Sequence, residues 1–168
     1  MILKNYFLKQ GWVEKPLENL KVECGLNIST DSISAVFSVT EPSIRAVNSG
    51  FNQPVWQDSC VELFLSLDKK NYYNFEINCI GSILAQHGEN RHNRNFIDFQ
   101  VLELIKVSST LGNKPFGVKE RVTSYQIKVS IPKEVFIFDE NHDLINISGN
   151  IYNVPTFHQP LTTCIYLK

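Results

Sequence analysis

The feature that most constrains the fold is a pair of alternating segments within residues 52–81 (NQPVWQDSCVELFLSLDKKNYYNFEINCIG). From Val61 to Leu67 one side-chain row is Val61, Leu63, Leu65 and Leu67, and the other is Cys60, Glu62, Phe64 and Ser66. From Tyr73 to Cys79 the apolar row is Tyr73, Phe75, Ile77 and Cys79, against Asn74, Glu76 and Asn78. A two-residue period predicts half-buried strands. Asp68-Lys69-Lys70-Asn71 supplies turn chemistry between them. If both apolar rows face one core, residues paired across the turn must have numbers with an even sum; pairing Leu67 with Tyr73 meets the condition, and a one-residue slip would mix the faces. Glu62, Asn74, Glu76 and Asn78 then share a surface about 10 Å across. Trp56 stands at the mouth of the first strand, beside Asp58.

Such a patch reads in two ways. It is the solvent face of a two-layer sheet, or it is a binding face. Carboxylates and amides in fixed geometry suit a polyhydroxylated ligand, and a nearby aromatic ring offers an apolar platform.

The 168 residues suit one domain, spanning residues 1–168, with room for a core. The formal net charge is -1 and no basic patch is visible, so nucleic acid is not an expected partner. No apolar run approaches the roughly 18 residues that would span a bilayer. The N-terminal MILKNYFLKQGW is interrupted by Lys4, Asn5 and Lys9, unlike a signal peptide; the sequence assigns no compartment. Cys24, Cys60, Cys79 and Cys164 form no CxxC pair, which disfavours a zinc knuckle. Cys60 and Cys79 fall on opposite rows, so buried free thiols are expected.

Along the chain, Met1–Trp12 reads as an edge strand or extended lead, and Pro16–Asn19 as at most one helical turn. Strands are predicted over Leu20–Ile28, Ser32–Thr40, Gln100–Val107, Arg121–Ile131, Leu144–Tyr152 and Thr162–Leu167, with Glu41–Val47 a short strand or loop. Gly81 breaks the second central strand, Ser82–Gln86 resumes it, and His87–Asn95 is a polar loop. Pro132–Phe136 fits one helical turn with proline at its first position. Nine or ten short strands without a long amphipathic helix predict an all-β fold, an antiparallel β-sandwich of jelly-roll or immunoglobulin-like type.

The chain resembles the family 9 carbohydrate-binding modules, in a branch found in gut-type bacteria. The resemblance is carried by Ile44-Arg45-Ala46, by residues 54–64 (PVWQDSCVELF), by residues 72–81 (YYNFEINCIG) and by Phe157-His158-Gln159-Pro160. It implies a sandwich that grips the end of a sugar chain between two aromatic rings, without catalysis and in association with polysaccharide breakdown. By the same resemblance Trp56 is the first ring, and Glu62 accepts hydrogen bonds from sugar hydroxyls. Asn74, Glu76 and Asn78 add further bonds, Asn150 matches a polar strand position and Phe157 matches the second ring. Three features depart from the pattern. Glu76 stands where cellulose-binding members have arginine, the late ring is Phe rather than Trp, and the run reads DSCVE rather than DSVE. No acidic N-terminal segment matches the one that holds calcium in some members, so no cofactor is carried over. A carbohydrate ligand and a monomer are expected.

Other readings stay open at this point. Glu62 and Glu76 could be the paired carboxylates of a glycoside hydrolase, about 5–10 Å apart. A purely structural or interaction β-sandwich is another. Haem ligation by a Met/His pair is disfavoured, because Met1 is the only methionine. His87, His92 and His158 read as loop histidines. Arg91 and Arg94 either solvate their loop, or one of them swings over Glu62 and Glu76 and stands in for the missing arginine; Arg91 is counted with the ligand-binding residues. Arg45 is read as half of a structural ion pair.

Overall fold

The structure, a computed structural model, describes residues 2–7, 18–66, 70–136 and 146–152, the first and last of these as backbone. In chain order the elements are β1 (Ile2–Phe7), β2 (Lys21–Ile28), β3 (Ser32–Glu41), β4 (Ile44–Ala46), β5 (Cys60–Ser66), β6 (Tyr72–Asn78), β7 (Ile83–Asn90) and β8 (Asn93–Phe96). They continue with α1 (Phe99–Leu102), β9 (Lys106–Ser109), β10 (Phe116–Lys119), β11 (Thr123–Pro132) and β12 (Asn146–Tyr152). One five-stranded sheet runs β1-β2-β3-β11-β9, the other β12-β5-β6-β7-β8, and β10 pairs with β4. Every ladder between these strands is antiparallel. The fold is an all-β antiparallel sandwich, as the strand pattern predicts.

Alternation builds the core. Ile33, Ala35, Phe37 and Val39 of β3 are buried while the residues between them are half-buried, and β11 repeats the pattern with Tyr125, Ile127, Val129 and Ile131. Val61, Leu63, Leu65, Phe75 and Ile77 meet these residues from the second sheet in one hydrophobic cluster.

The central pair has even parity, in a register two residues from the expected one. Leu65, not Leu67, lies opposite Tyr73, which sets Glu62 directly across from Glu76. Gly81, in the turn between β6 and β7, has φ +86, a left-handed conformation glycine adopts without steric cost. Cys60 and Cys79 do fall on opposite faces. Cys60 packs with Val55 and Leu84, whereas Cys79 lies in the main core, and both are free.

Three expectations are corrected. Residues 87–95 are not a loop: β7 runs through them to Asn90 and β8 returns from Asn93. Their polarity reflects a sheet edge, and Asn90 Oδ1 closes the turn by accepting from the backbone of His92 and Asn93. Residues 100–107 are not one strand. Asp98 caps a helical turn by accepting from the Gln100 N–H, the turn buries Leu102 with Ile105 just beyond it, and β9 begins at Lys106. β10 was not anticipated. Pro132 precedes a single 3-10 turn, Lys133–Val135, as expected. The expected turn at 16–19 lies largely, and the strand at 162–167 wholly, outside the described residues.

Candidate functional site

The site lies on the face of the β12-β5-β6-β7-β8 sheet turned away from the core. Side-chain alternation puts Glu62 and Phe64 of β5, and Tyr72, Asn74 and Glu76 of β6, on that face. It is not the solvated face of a two-layer sheet. Glu62 and Glu76 are each only 4% exposed and Asn74 1%. Buried carboxylates need partners, because removing charge from water costs several kcal/mol.

Two partners of Glu76 are defined. Asn74 Nδ2 donates to Glu76 Oε1 at 2.7 Å, and Arg94 Nη2 lies 3.8 Å from the same oxygen. Burial pushes the Glu76 carboxyl above the usual carboxylate range; the Asn74 hydrogen bond, then Arg94, then Arg91 partly offset this. So the loop arginine that reaches the acidic face is Arg94, while Arg91 is exposed on the β7–β8 turn and contributes only its field. Gly88, opposite Arg94, makes that approach possible: a Cβ there would lie 2.1 Å from the Asn93 carbonyl oxygen and 2.5 Å from Arg94 Cα.

Three buried polar atoms on this spot have no hydrogen-bond partner among the described residues: Asn74 Oδ1, Glu76 Oε2 and Arg94 Nε. Two accept and one donates. In folded proteins such atoms are nearly always satisfied.

Trp56 is 51% exposed on a 3-10 turn, Val55–Gln57, that packs beside β5 and β6. The turn is held from below. Asp58, fully buried, accepts from the backbone N–H groups of Val47 (3.0 Å) and Asn48 (2.9 Å) and from Asn78 Nδ2 (2.9 Å). Arg45 Nε stands 3.6 Å from it, the structural ion pair expected for this arginine. Ser59 donates to Glu41 (3.2 Å), which also takes a hydrogen bond from Tyr125. Asp58 and Ser59 of the DSCVE run are therefore scaffold, a role sequence reasoning did not assign to them.

Asn78 is committed to the scaffold. Its amide donates to Asn48 O (2.8 Å) and Asp58, and accepts from the backbone N–H groups of Ile80 (3.3 Å) and Ser82 (2.9 Å). Those four bonds use the amide's full capacity, so it braces the scaffold and has nothing left for a ligand. Asn150 is brought next to Glu62 by the β5–β12 register. Phe157 and His158 lie outside the described residues. His87 is not a loop residue; its ring stacks on Tyr73 at 4.1 Å. Among the described residues no three His, Cys, Asp or Glu side chains converge as a metal site would require.

Fold and site together define an antiparallel β-sandwich with an exposed indole on a turn that packs beside β5 and β6 and a buried, partly unsatisfied polar cluster on the outer face of those strands. Residues 9–161 match the model of carbohydrate-binding family 9, and the chain belongs to that family. It is also similar to a crystal structure from Bacteroides uniformis of "a putative carbohydrate-binding protein", with a TM-score of 0.83 and 30% identity over 98% of this chain and 77% of that one. No curated protein matches the chain.

Proposed function

We propose that this chain is a non-catalytic module that holds a carbohydrate against Trp56, with Glu62, Asn74, Glu76 and Arg94 as its polar partners. The observation that carries the reading is the trio of unpartnered atoms, Asn74 Oδ1, Glu76 Oε2 and Arg94 Nε. Sugar hydroxyls both donate and accept, so they complement two acceptors and one donor, and the C–H face of a pyranose suits an exposed indole. Such a module would serve enzymes that degrade polysaccharides by holding them near substrate.

Calorimetry against a glycan panel tests the proposal. Trp56→Ala is expected to weaken binding about fivefold or more, the worth of one aromatic contact, with little change in melting temperature because the ring is half in water. Unchanged affinity would remove Trp56 from the site. The facing pair Glu62 and Glu76 supports a hydrolase as the second reading. Release of nitrophenol from aryl glycosides, abolished by Glu62→Gln, would replace the binding module with that enzyme; the expected result is no turnover.

A further inference from the structure

The face carries aromatic surface that the Trp56 site does not use. Phe64 lies directly opposite Asn74, and Tyr72 follows Asn74 on the same row. Their rings meet at 5.8 Å with planes at 53°. Both rings are half-buried, and neither is part of the hydrophobic core formed by the described residues or packs against it. Two adjacent rings on the outer face, with no part in the core, require another explanation.

Their described neighbours are polar. Gln86, opposite Asn74 on β7, is half-buried with its amide uncommitted among the described residues, and so is the Tyr72 hydroxyl. Gly88, opposite Tyr72, sets no side chain beside that ring. The unpartnered Asn74 Oδ1 lies between this pair and Glu76. Tyr72 and Glu76 are four residues apart on one strand, about 13 Å at the usual rise. That is longer than a single pyranose.

We infer that Phe64 and Tyr72 form a second sugar-contact point, so that the ligand is an oligosaccharide of two or three units lying along β6, with Gln86 and the Tyr72 hydroxyl bonding the distal unit. This rests on the binding reading above and extends it from one sugar to a chain. The rings supply the stacking surface, and the uncommitted amide and phenol fix the orientation.

The test is titration calorimetry with β-1,4-linked gluco-, xylo- and manno-oligosaccharides of one to four units. For the wild type, affinity should rise roughly fivefold from one unit to three and then level off. Tyr72→Ala should remove that rise and leave single-unit affinity unchanged, whereas Tyr72→Phe should keep it. Trp56→Ala should weaken every length alike. Circular dichroism melts of each variant separate a lost contact from a lost fold. Affinity independent of length, or a Tyr72→Ala loss equal at all lengths, overturns the second contact point alone. Absence of wild-type binding across all three series overturns the underlying site as well.

Discussion

Asp58→Asn is the sharpest test of the scaffold, because it changes one atom and removes one charge. The carboxylate is fully buried and takes hydrogen bonds on both oxygens. In the amide one oxygen can still accept from Val47. The NH2 group that replaces Oδ2 then points at two donors, the Asn48 N–H and Asn78 Nδ2, each at 2.9 Å. Asn78 cannot relieve this by flipping, because its own oxygen is held by the N–H groups of Ile80 and Ser82. Two charge-assisted bonds are lost and two buried donors face a third. A charge-assisted bond is worth about 1.5–3 kcal/mol and an unsatisfied buried donor costs about 1–3 kcal/mol. Allowing for relaxation, a net loss of about 3 kcal/mol is expected, which for a chain of 168 residues lowers the melting temperature by roughly 6–12 °C. Differential scanning calorimetry reads this directly. The Trp56 turn rests on the same anchor, so binding should fall together with stability. A melt within 2 °C of wild type would refute the anchor role.

Glu76→Gln should flatten a pH dependence of stability. Burial raises the Glu76 pKa above its unfolded value of 4.5, so the folded state holds the extra proton. Stability therefore falls as pH rises from about 4.5 through the raised folded pKa. Denaturant melts between pH 4 and 8 should show that decline in the wild type and a flatter profile in Glu76→Gln, with weaker sugar binding; identical profiles would count against it. Gly88→Ala should cost about 1–3 kcal/mol, the usual range for overpacking, because its Cβ overlaps the Asn93 carbonyl and Arg94 Cα. Binding should drop with it as Arg94 leaves Glu76, and hydrogen exchange should localise the loosening to β7 and β8. Cys24, Cys60 and Cys79 should resist iodoacetamide at pH 8 and react after denaturation, by mass spectrometry. Burial pushes the Cys24 thiol up to about 12 and raises the other two as well.

The parts of the fold legible in the sequence were those where one face meets the core and the other does not. β3 and β11 show their two-residue period because burial writes it there, whereas β6 alternates apolar with polar residues although both of its faces are buried. β8 and β10 carry no such mark, being short and largely exposed, so neither face selects for apolar residues. α1 was hidden inside an apolar stretch that fits strand or helix equally by composition. Only Asp98, one residue ahead of it, marked the helical turn. Parity fixed which rows share a face but left the register free in steps of two. The pairing that the turn selects, Leu65 with Tyr73, is what sets the two glutamates opposite each other.

For the site, the sequence supplied residue types and the register supplied roles. Asn74, Glu76 and Asn78 look equivalent on one row, yet their surroundings separate them. Asn78 sits beside the Asp58 anchor and is absorbed by it. Glu76 and Asn74 sit two and four residues further from that anchor, bond each other, and keep an acceptor apiece. The positive charge beside Glu76 comes from a distance that sequence order does not reveal. Arg94 belongs to β8, two strands away from β6, and reaches Glu76 because Gly88 lets the hairpin close. A positive charge delivered from an edge hairpin differs from one rooted in the central strand. It can be moved by changes in the hairpin that leave β5 and β6 intact. If that is how this site is tuned, Gly88→Ala and Arg94→Ala should weaken sugar binding to similar extents, and combining them should add little further loss.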